Sequence, residues 1–326
     1  MTASQTEDIV YGKLNKVTGE WKEFEPGGRY QTRDQIEEAK KRYETRRERE
    51  AKQALIEAHR ANQRRTLGTF CFLNVIDVFT DVSPPTIPKI IVLASYAGFR
   101  RQLMLTLKTP MKRADIPKVL GLSRSGAYKF WREVKDRFFV EDEAHFVYLN
   151  TPNIFRSQIP KDLRGKHLQK VFIKTVRELY QQTDIRKHTQ LGYVFQMLPY
   201  VNLEYNILCI DPFETQLQEV QPLTVKDLCN LIGYDSTQAK RLIRELASLR
   251  YSHNGRIEYL LSYVSNGAEA HESKKIFLNP HIVYNGSDYR RVETLGAFCR
   301  ADTKISTLSG QADFTHLQQH GSVNYG

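Results

Sequence analysis

An internal repeat constrains this chain more strongly than any other feature of its sequence. The segment Met111–Val134 aligns without gaps with Leu223–Leu246, at a constant offset of 112 residues. The identical pairs are Asp115/Asp227, Gly121/Gly233, Ala127/Ala239, Arg132/Arg244 and Glu133/Glu245. The apolar positions coincide as well, for example Phe130 with Leu242. A sequence unit that occurs twice predicts a structural unit that occurs twice.

Each copy shows the pattern of a helix-turn-helix. A shared glycine, Gly121 or Gly233, ends a short first helix, where the backbone needs a positive φ that glycine adopts without penalty. Ser123 and Asp235 follow two residues later and can cap the next helix through a side-chain oxygen. The shared alanine occupies the position at which the two helices cross closely. We expect the second helix of each copy to present its exposed side chains to the major groove of DNA, which admits one helix.

Each copy is followed by a short strand, a turn and a second strand. In the first copy this stretch is Phe138–Asn150, which continues into Thr151–Phe155. In the second copy it is Ile257–Val264, a polar loop over 265–275, and Ile276–Tyr284. Both second strands contain an aromatic residue followed by Leu and Asn. This order predicts a β-wing after each helix-turn-helix, and therefore two winged helix-turn-helix units.

The wing ends YLNTPNIF (Tyr148–Phe155) and FLNPHIVY (Phe277–Tyr284) resemble those of the winged-helix replication proteins of bacterial plasmids and phages. The tandem order is also similar to plasmid initiators built from two successive winged helices. The resemblance covers roughly residues 68–290, and it implies a mainly α fold with small β-wings (α+β) and a role as a replication initiator. Pro117 departs from the pattern, and it is tolerated only if the first short helix begins at Asp115.

The predicted recognition helices carry the candidate DNA-binding residues. In the first copy the helix spans Arg124–Arg137, and the exposed candidates are Arg124, Ser125, Tyr128, Lys129 and Arg132. In the second copy it spans Ser236–Leu249, and the candidates are Ser236, Thr237, Gln238, Lys240, Arg241 and Arg244. Arg suits guanine edges, Gln suits adenine edges, and Ser or Lys suits bases or phosphates. Two alternatives remain open: the charges form a solvated helix face, or the second copy mediates dimerisation or positions the first.

The rest of the chain is interpreted from composition and periodicity. The predicted domains are a small hairpin over 1–30, a long charged helix over 31–66, winged-helix domains over 68–160 and 167–290, and a flexible tail over 291–326. The long helix has few large apolar residues, so it is either a solvated, salt-bridged helix or one that packs along a DNA backbone or a partner. His167–Gln182 is amphipathic at helical spacing and predicts a further helix.

The charge balance indicates a polyanionic partner. Lys and Arg number 48 against 37 Asp and Glu, which gives a net charge of +11 and a pI near 9.4. Such a balance is typical of nucleic-acid-binding proteins, although an ordinary basic protein is an alternative. Mean hydropathy is −0.51, and we expect neither a membrane span nor a signal peptide. The four cysteines lie far apart with no C-x-x-C pair, which favours reduced thiols in a bacterial cytosol over a zinc knuckle or disulfide scaffold.

No catalytic signature is legible in the sequence. It contains no G-x-x-x-x-G-K-[ST] loop and no H-E-x-x-H motif, so we expect neither an enzyme nor a cofactor nor a metal. The expected partner is double-stranded DNA with two related half-sites about one helical turn, roughly 10 bp, apart. An initiator would also contact a helicase or primase, and it would be found in the cytosol on nucleoid, plasmid or phage DNA. The alternatives are a transcriptional regulator of a mobile genetic element, which would contact RNA polymerase, and a DNA recombinase or nickase; a homodimer is left open.

Overall fold

The structure, a computed structural model, describes residues 12–14, 17–23, 33–76, 78–98, 100–156, 159–264, 275–286 and 288–300. These residues form two compact units, divided between Arg65 and Thr66. Helices alternate with small antiparallel sheets, so the fold is of the mixed α+β class. No helix in these ranges is both long enough and apolar enough to cross a membrane.

The first unit contains a strand pair and a long helix. Strands β1 (Gly12–Leu14) and β2 (Trp21–Glu23) pair antiparallel, and the outer ends of the predicted hairpin lie outside the described residues. Helix α1 (Arg33–Leu67) follows and has 35 residues. Its exposed side chains form ion pairs one turn apart, such as Arg46 with Glu50 at 2.8 Å. Pairs at this spacing support a helix whose surface is in water, because they form between exposed side chains and require no burial.

The second unit begins with the first copy of the repeat. Its elements are β3 (Phe70–Asn74), α2 (Ile87–Ala94), α3 (Ile116–Leu120), α4 (Arg124–Val134), β4 (Phe139–Glu141), β5 (Val147–Leu149) and β6 (Ile154–Phe155). Helix α2 is buried along almost its whole length, and α3 and α4 pack beside it. Helix α3 begins at Ile116, one residue after the predicted start at Asp115. Pro117 lies in its first turn, where the missing amide hydrogen costs no intrahelical bond.

The second copy has the same order with additions. Its elements are β7 (Leu168–Phe172), α5 (Ile173–Gln182), α6 (His188–Gln196), α7 (Val225–Leu231), α8 (Ala239–Ala247), β8 (Arg250–His253), β9 (Arg256–Tyr259), β10 (Leu261–Val264), β11 (Lys275–Leu278) and α9 (Arg291–Ala297). Helices α7 and α8 correspond to α3 and α4, which lie about 112 residues earlier in the chain. Each pair follows a helix that contributes to the buried core, α2 in the first copy and α6 in the second.

A three-stranded antiparallel sheet joins the two copies. Its order is β6-β3-β7, with Cys71 opposite Val171 and Leu73 opposite Ile154. Val171 is bridged on its other side by Val283, so the end of the second copy continues the sheet. The helix predicted over His167–Gln182 is therefore wrong for its first part, because the backbone of Leu168–Phe172 pairs with β3 instead.

Hydrogen bonds and close packing also connect the two copies. The Tyr180 hydroxyl of α5 donates to the carbonyl of Leu120 at the end of α3, at 2.9 Å. The Arg177 guanidinium donates to Ser95 Oγ at 2.8 Å. Gly192 in α6 is packed so closely that a Cβ there would lie 1.9 Å from the Pro84 carbonyl oxygen. One continuous apolar core therefore runs through both copies.

The strands after α8 differ from the prediction. The predicted wing strand Ile257–Val264 is divided between two hairpins: β9 pairs with β8, and β10 pairs with β11. The β8–β9 turn is Asn254-Gly255, with φ of +48° and +79°. Two successive positive φ values define a type I′ turn, which matches the twist of a two-stranded ribbon. The hairpin equivalent to β4–β5 is β10–β11, because Leu261 pairs with Leu278 as Phe139 pairs with Leu149. The amides of Asn279 and Asn150 likewise donate to the carbonyls of Leu260 and Phe138. The β8–β9 hairpin is therefore an addition between α8 and this pair of strands.

The chain remains ordered beyond Arg291, where the sequence predicted the start of a flexible tail. Helix α9 buries Val292 and Leu295 against Phe172 and Tyr284. The carbonyl of Cys299 accepts a hydrogen bond from the amide of Tyr259 at 2.7 Å. The short helix has too few apolar residues to stand out in the sequence. The remainder of the predicted tail, 301–326, lies outside the described residues.

Candidate nucleic-acid interface

The two helix pairs turn at a glycine in the left-handed conformation. The φ angle is +60° at Gly121 and +66° at Gly233, and a Cβ at either position would meet no atom within 4 Å. The backbone conformation, and not a lack of space, therefore selects glycine at both turns. Ser123 Oγ accepts a 3.1 Å hydrogen bond from the third amide of α4, and Asp235 Oδ1 accepts one of 2.9 Å two residues on. These are the caps predicted from the repeat.

Helix α4 separates an apolar side from a polar side. Ala127, Phe130, Trp131 and Val134 are buried in the core. We call the opposite side the α4 face; all its members are exposed, namely Arg124, Ser125, Tyr128, Lys129 and Arg132. The helix ends at Val134, three residues before the predicted end. The five candidates of the first copy thus lie together on one accessible surface.

A groove lies beside the α4 face, between α4, the start of α3 and the β4–β5 turn. We call it the α4 groove; its buried or half-buried floor consists of Ile116, Pro117, Ala127 and Trp131. Its basic rim consists of Lys112, Arg113, Arg124, Lys129 and His145, all exposed except the half-buried Arg113. The groove has a volume of about 1210 Å³. The positive rim makes the groove suitable for an anionic ligand.

The acidic side chains of the β4–β5 hairpin form internal contacts. Glu141 pairs with Arg113 at 3.1 Å and with His145 at 3.5 Å. Asp142 Oδ1 accepts hydrogen bonds from two amides of its own turn, and Oδ2 accepts one from the Tyr148 hydroxyl at 3.0 Å. These carboxylates therefore hold the hairpin in shape. Within the ranges that the structure describes, no group of three or more His, Cys, Asp or Glu is placed to hold a metal ion.

The corresponding surface of the second copy begins before α8. Ser236–Gln238 form a single 3-10 turn, and α8 continues from Ala239 to Ala247, so the predicted helix has a tighter start and an earlier end. We call its polar side the α8 face; all its members are exposed, namely Ser236, Thr237, Gln238, Lys240, Arg241 and Arg244. The six candidates of the second copy are therefore also brought together on one surface.

The two faces differ in electrostatics. Glu245 accepts hydrogen bonds from Arg241 and from Gln190, both at 2.8 Å. The Arg241 hydrogen bond, followed by that of Gln190, lowers the pKa of the Glu245 carboxyl, so this group is ionised at neutral pH and balances Arg241. The α8 face thus presents less free positive charge than its sequence suggests.

The matching glutamate of the first copy has a different role. Glu133 accepts hydrogen bonds from the Ser83 amide at 3.1 Å, from the Ser83 hydroxyl at 2.7 Å and from the Thr86 hydroxyl at 2.8 Å. It therefore anchors α4 to the start of α2. Lys129, which matches Arg241, has no ion pair among the residues described, so the α4 face keeps its charge.

Sequence reasoning missed the β8–β9 hairpin and the cations on it. Arg250 begins β8 and Arg256 begins β9, and both side chains are exposed. The signal was present, because an Asn-Gly pair between two short strands is the strongest local indication of a hairpin. Arg256 follows the turn directly and is an additional candidate for contact with an anionic partner.

Comparisons of the chain with known protein families, with curated proteins and with solved structures found no match. The function is therefore inferred from the two exposed faces and from the elements that position them.

Proposed function

We propose that this chain binds double-stranded DNA through two winged helix-turn-helix units. The observation that carries the proposal is the same in both copies: a helix follows a left-handed glycine, buries its apolar side and exposes a row of polar and basic side chains. These rows are the α4 face and the α8 face. An α-helix with such a row fits the major groove, where side chains reach the base edges.

The residue types assign roles within each face. Arg124 stands in the first turn of α4 and can form two hydrogen bonds with a guanine edge, whereas Lys129 suits a phosphate. Gln238 stands in the corresponding turn of the second copy and suits an adenine edge. We take β4–β5 and its equivalent β10–β11 as the wings. The additional β8–β9 hairpin carries the exposed Arg256, a cation for the adjacent backbone or minor groove.

The connection between the copies supports binding to one composite site. Because β3 and β7 are hydrogen-bonded over five residue pairs, the two helix-turn-helix units have one fixed relation to each other. A rigid pair imitates a dimer, so the target should hold two related half-sites about one helical turn, roughly 10 bp, apart. We assign the chain to replication initiation on plasmid or phage DNA, on the basis of its resemblance to such initiators.

The test of DNA binding is a salt titration with duplex DNA. We expect the logarithm of the binding constant to fall by about 0.9 per phosphate contact for each unit of log salt. A flat response would contradict the proposal. Genome-wide mapping of bound sites then tests the biological role: binding to repeats at an origin supports initiation, whereas binding confined to promoters supports transcriptional regulation.

A further inference from the structure

We propose that the α4 groove is also a binding site for a free nucleoside triphosphate, and that this ligand excludes DNA from the α4 face. The base would stack on Tyr128 above the apolar floor, and the phosphates would contact the basic rim. Nucleotide binding depends only on the residues of the α4 groove. Its effect on DNA rests on the proposed function, because Arg124 and Lys129 belong both to the α4 face and to the groove.

The groove offers an aromatic platform for a base. Tyr128 lines the groove and is 61% exposed. An exposed aromatic ring beside an apolar floor is suited to stacking, and every nucleobase has a π-face. The apolar floor then removes the outer edge of the base from water.

The rim offers charge for several phosphate oxygens. Lys112 and Arg113 approach from the start of α3, and Arg124 and Lys129 approach from α4. Glu141 pairs with Arg113 at 3.1 Å and balances its charge, and Asp115 Oδ2 accepts a hydrogen bond from the Lys112 amide. Lys112, Arg124 and Lys129 have no ion pair among the residues described, so their side chains remain available to phosphates. The N-terminal end of α4, an 11-residue helix, adds its partial positive charge on the same side. A polyphosphate matches this arrangement better than a ligand with a single charge.

A buried donor at the floor lacks an acceptor. Trp131 is only 4% exposed, and its indole Nε1 has no hydrogen-bond partner in the part of the chain that the structure describes. The Arg113 guanidinium covers its ring, 5.4 Å from the ring centre. A buried N–H without an acceptor is unfavourable in a folded protein. A base that displaces Arg113 toward its phosphates would bring ring nitrogen or carbonyl acceptors to this N–H.

The second copy shows that a helix-turn-helix does not require these groups. At the matching positions it has Thr224 for Lys112, Val225 for Arg113, Lys240 for Tyr128 and Ile243 for Trp131. Arg124 is likewise matched by Ser236, so the aromatic platform, the unpartnered indole and three of the four rim cations within the repeat belong to the first copy alone. Since both copies keep the turn glycine, the caps and the packed alanine, these additional residues serve something other than the shared architecture.

The direct test is a titration of ATP into the full chain, followed by tryptophan fluorescence. The two tryptophans are Trp21 and Trp131, so Trp21→Phe leaves only the indole of the groove as the reporter. We expect a saturable change of tryptophan fluorescence with ATP. Adenosine and inorganic triphosphate should cause much weaker changes, because the first has only the base and sugar and the second only the phosphates. The absence of saturable binding, or equal binding of inorganic triphosphate, would overturn the inference.

Matched variants separate the groove from the rest of the molecule. Tyr128→Ala should weaken ATP binding at least about tenfold, because base stacking on an aromatic side chain is lost. Tyr128→Phe should retain it, and Lys240→Ala, at the matching position of the second copy, should leave it unchanged. Equal effects of Tyr128→Ala and Lys240→Ala would show that ATP does not bind in the α4 groove.

Competition with duplex DNA completes the test. We expect ATP to raise the apparent Kd for DNA in the parent chain but not in Tyr128→Ala. DNA binding without ATP binding would overturn the inference and leave the proposed function intact. ATP binding by a chain that binds no duplex at any salt concentration would overturn the proposed function and leave the nucleotide site. A single-stranded oligonucleotide that changes the Trp131 signal where ATP does not would overturn the assignment to a free nucleotide.

Discussion

The Nε atom of Arg241 lies 2.8 Å from the Oε1 atom of Glu245, one helical turn further along α8. The same carboxylate binds Gln190 on α6, so it both anchors the helix and neutralises a cation on the α8 face. In the first copy the two tasks are separated, because Glu133 only anchors and leaves Lys129 unpaired within the described chain. The stronger electrostatic attraction to DNA is therefore expected at the first copy.

Removal of the Glu245 charge should strengthen DNA binding. Glu245→Gln keeps an oxygen that can accept from Gln190, but it releases Arg241 for a phosphate. We expect a few-fold gain in affinity and a salt dependence steeper by about 0.9 in a log–log plot. The measurement is a salt titration beside Glu219→Gln, which removes the same charge from an exposed loop. Equal gains in both variants would contradict a specific role for the Arg241–Glu245 pair.

Arg124 should read a base. Arg124→Ala is expected to lose about 1–3 kcal/mol of binding free energy and to relax specificity at one position of the site. A phosphate contact would instead weaken all sequences evenly and lower the salt slope by about one. Competition with a set of singly substituted duplexes distinguishes the two, and Lys161→Ala, an exposed cation between the copies, is the control. If Arg124→Ala binds like the control, the α4 face does not contact bases.

Gly233 should control the orientation of α8 more than the stability of the core. A β-branched side chain at its φ of +66° meets a steric cost of about 1–2 kcal/mol, whereas Asn tolerates this conformation. Gly233→Val should therefore reduce DNA binding more than it reduces Tm, since Leu228 and Leu242 remain buried. Gly233→Asn should stay close to the parent. A thermal melt and a DNA titration on the same preparation test this, and unchanged affinity in folded Gly233→Val would exclude α8 as a recognition helix.

Arg256 should contribute to affinity without contributing to specificity. It stands exposed at the start of β9, beside the Asn254-Gly255 turn of the hairpin that follows α8 directly. Arg256→Ala should weaken binding to all duplexes evenly and lower the salt slope by about 0.9, because one phosphate contact is lost. Arg256→Lys should restore most of the affinity through its charge. A change of sequence preference in Arg256→Ala would show that the hairpin reads bases instead.

Two buried histidines, His167 and His188, and the half-buried His253 should make the fold sensitive to mild acid. Burial lowers the pKa of His167, His188 and His253 below the value of about 6.5 in an unfolded chain. As the pH falls below about 6.5, the unfolded chain therefore binds protons that the folded chain does not, and the free energy of unfolding decreases. Thermal melts between about pH 7.5 and about pH 5.5 should show a falling Tm, by about 2–4 °C for each kcal/mol lost. His188→Gln should flatten this dependence, and a Tm independent of pH in the parent would contradict the prediction.

Local patterns in the sequence were sufficient to predict much of the candidate interface. The repeat located α3, α4, α7 and α8, the left-handed glycines and the two capping side chains, because each depends on residues within a few positions. The exposed faces followed from the 3.6-residue period of a helix. None of this required knowledge of the tertiary structure.

Contacts between distant residues account for what was missed. Leu168, Val171 and Phe172 satisfy helical spacing, but β3, about 100 residues earlier in the chain, offers their backbone a strand partner. Such pairing overrides a local pattern of only a few residues. The ion pair of Arg241 is a local feature, yet the hydrogen bonds of Glu133 to Ser83 and Thr86, which make the two faces unequal, span about 50 residues.

The ladder between β3 and β7 also determines how this architecture can change. Cleavage of the chain near residue 160 and separation of the halves would break the pairing between β3 and β7 and expose an unpaired edge on each strand. Because unpaired strand edges promote aggregation, the separated halves would tend to aggregate instead of folding independently. A gene encoding such a chain cannot exchange one half for that of a relative unless the incoming half brings a compatible edge. The two halves therefore depend on each other for folding, although the sequences of α4 and α8 differ at most exposed positions.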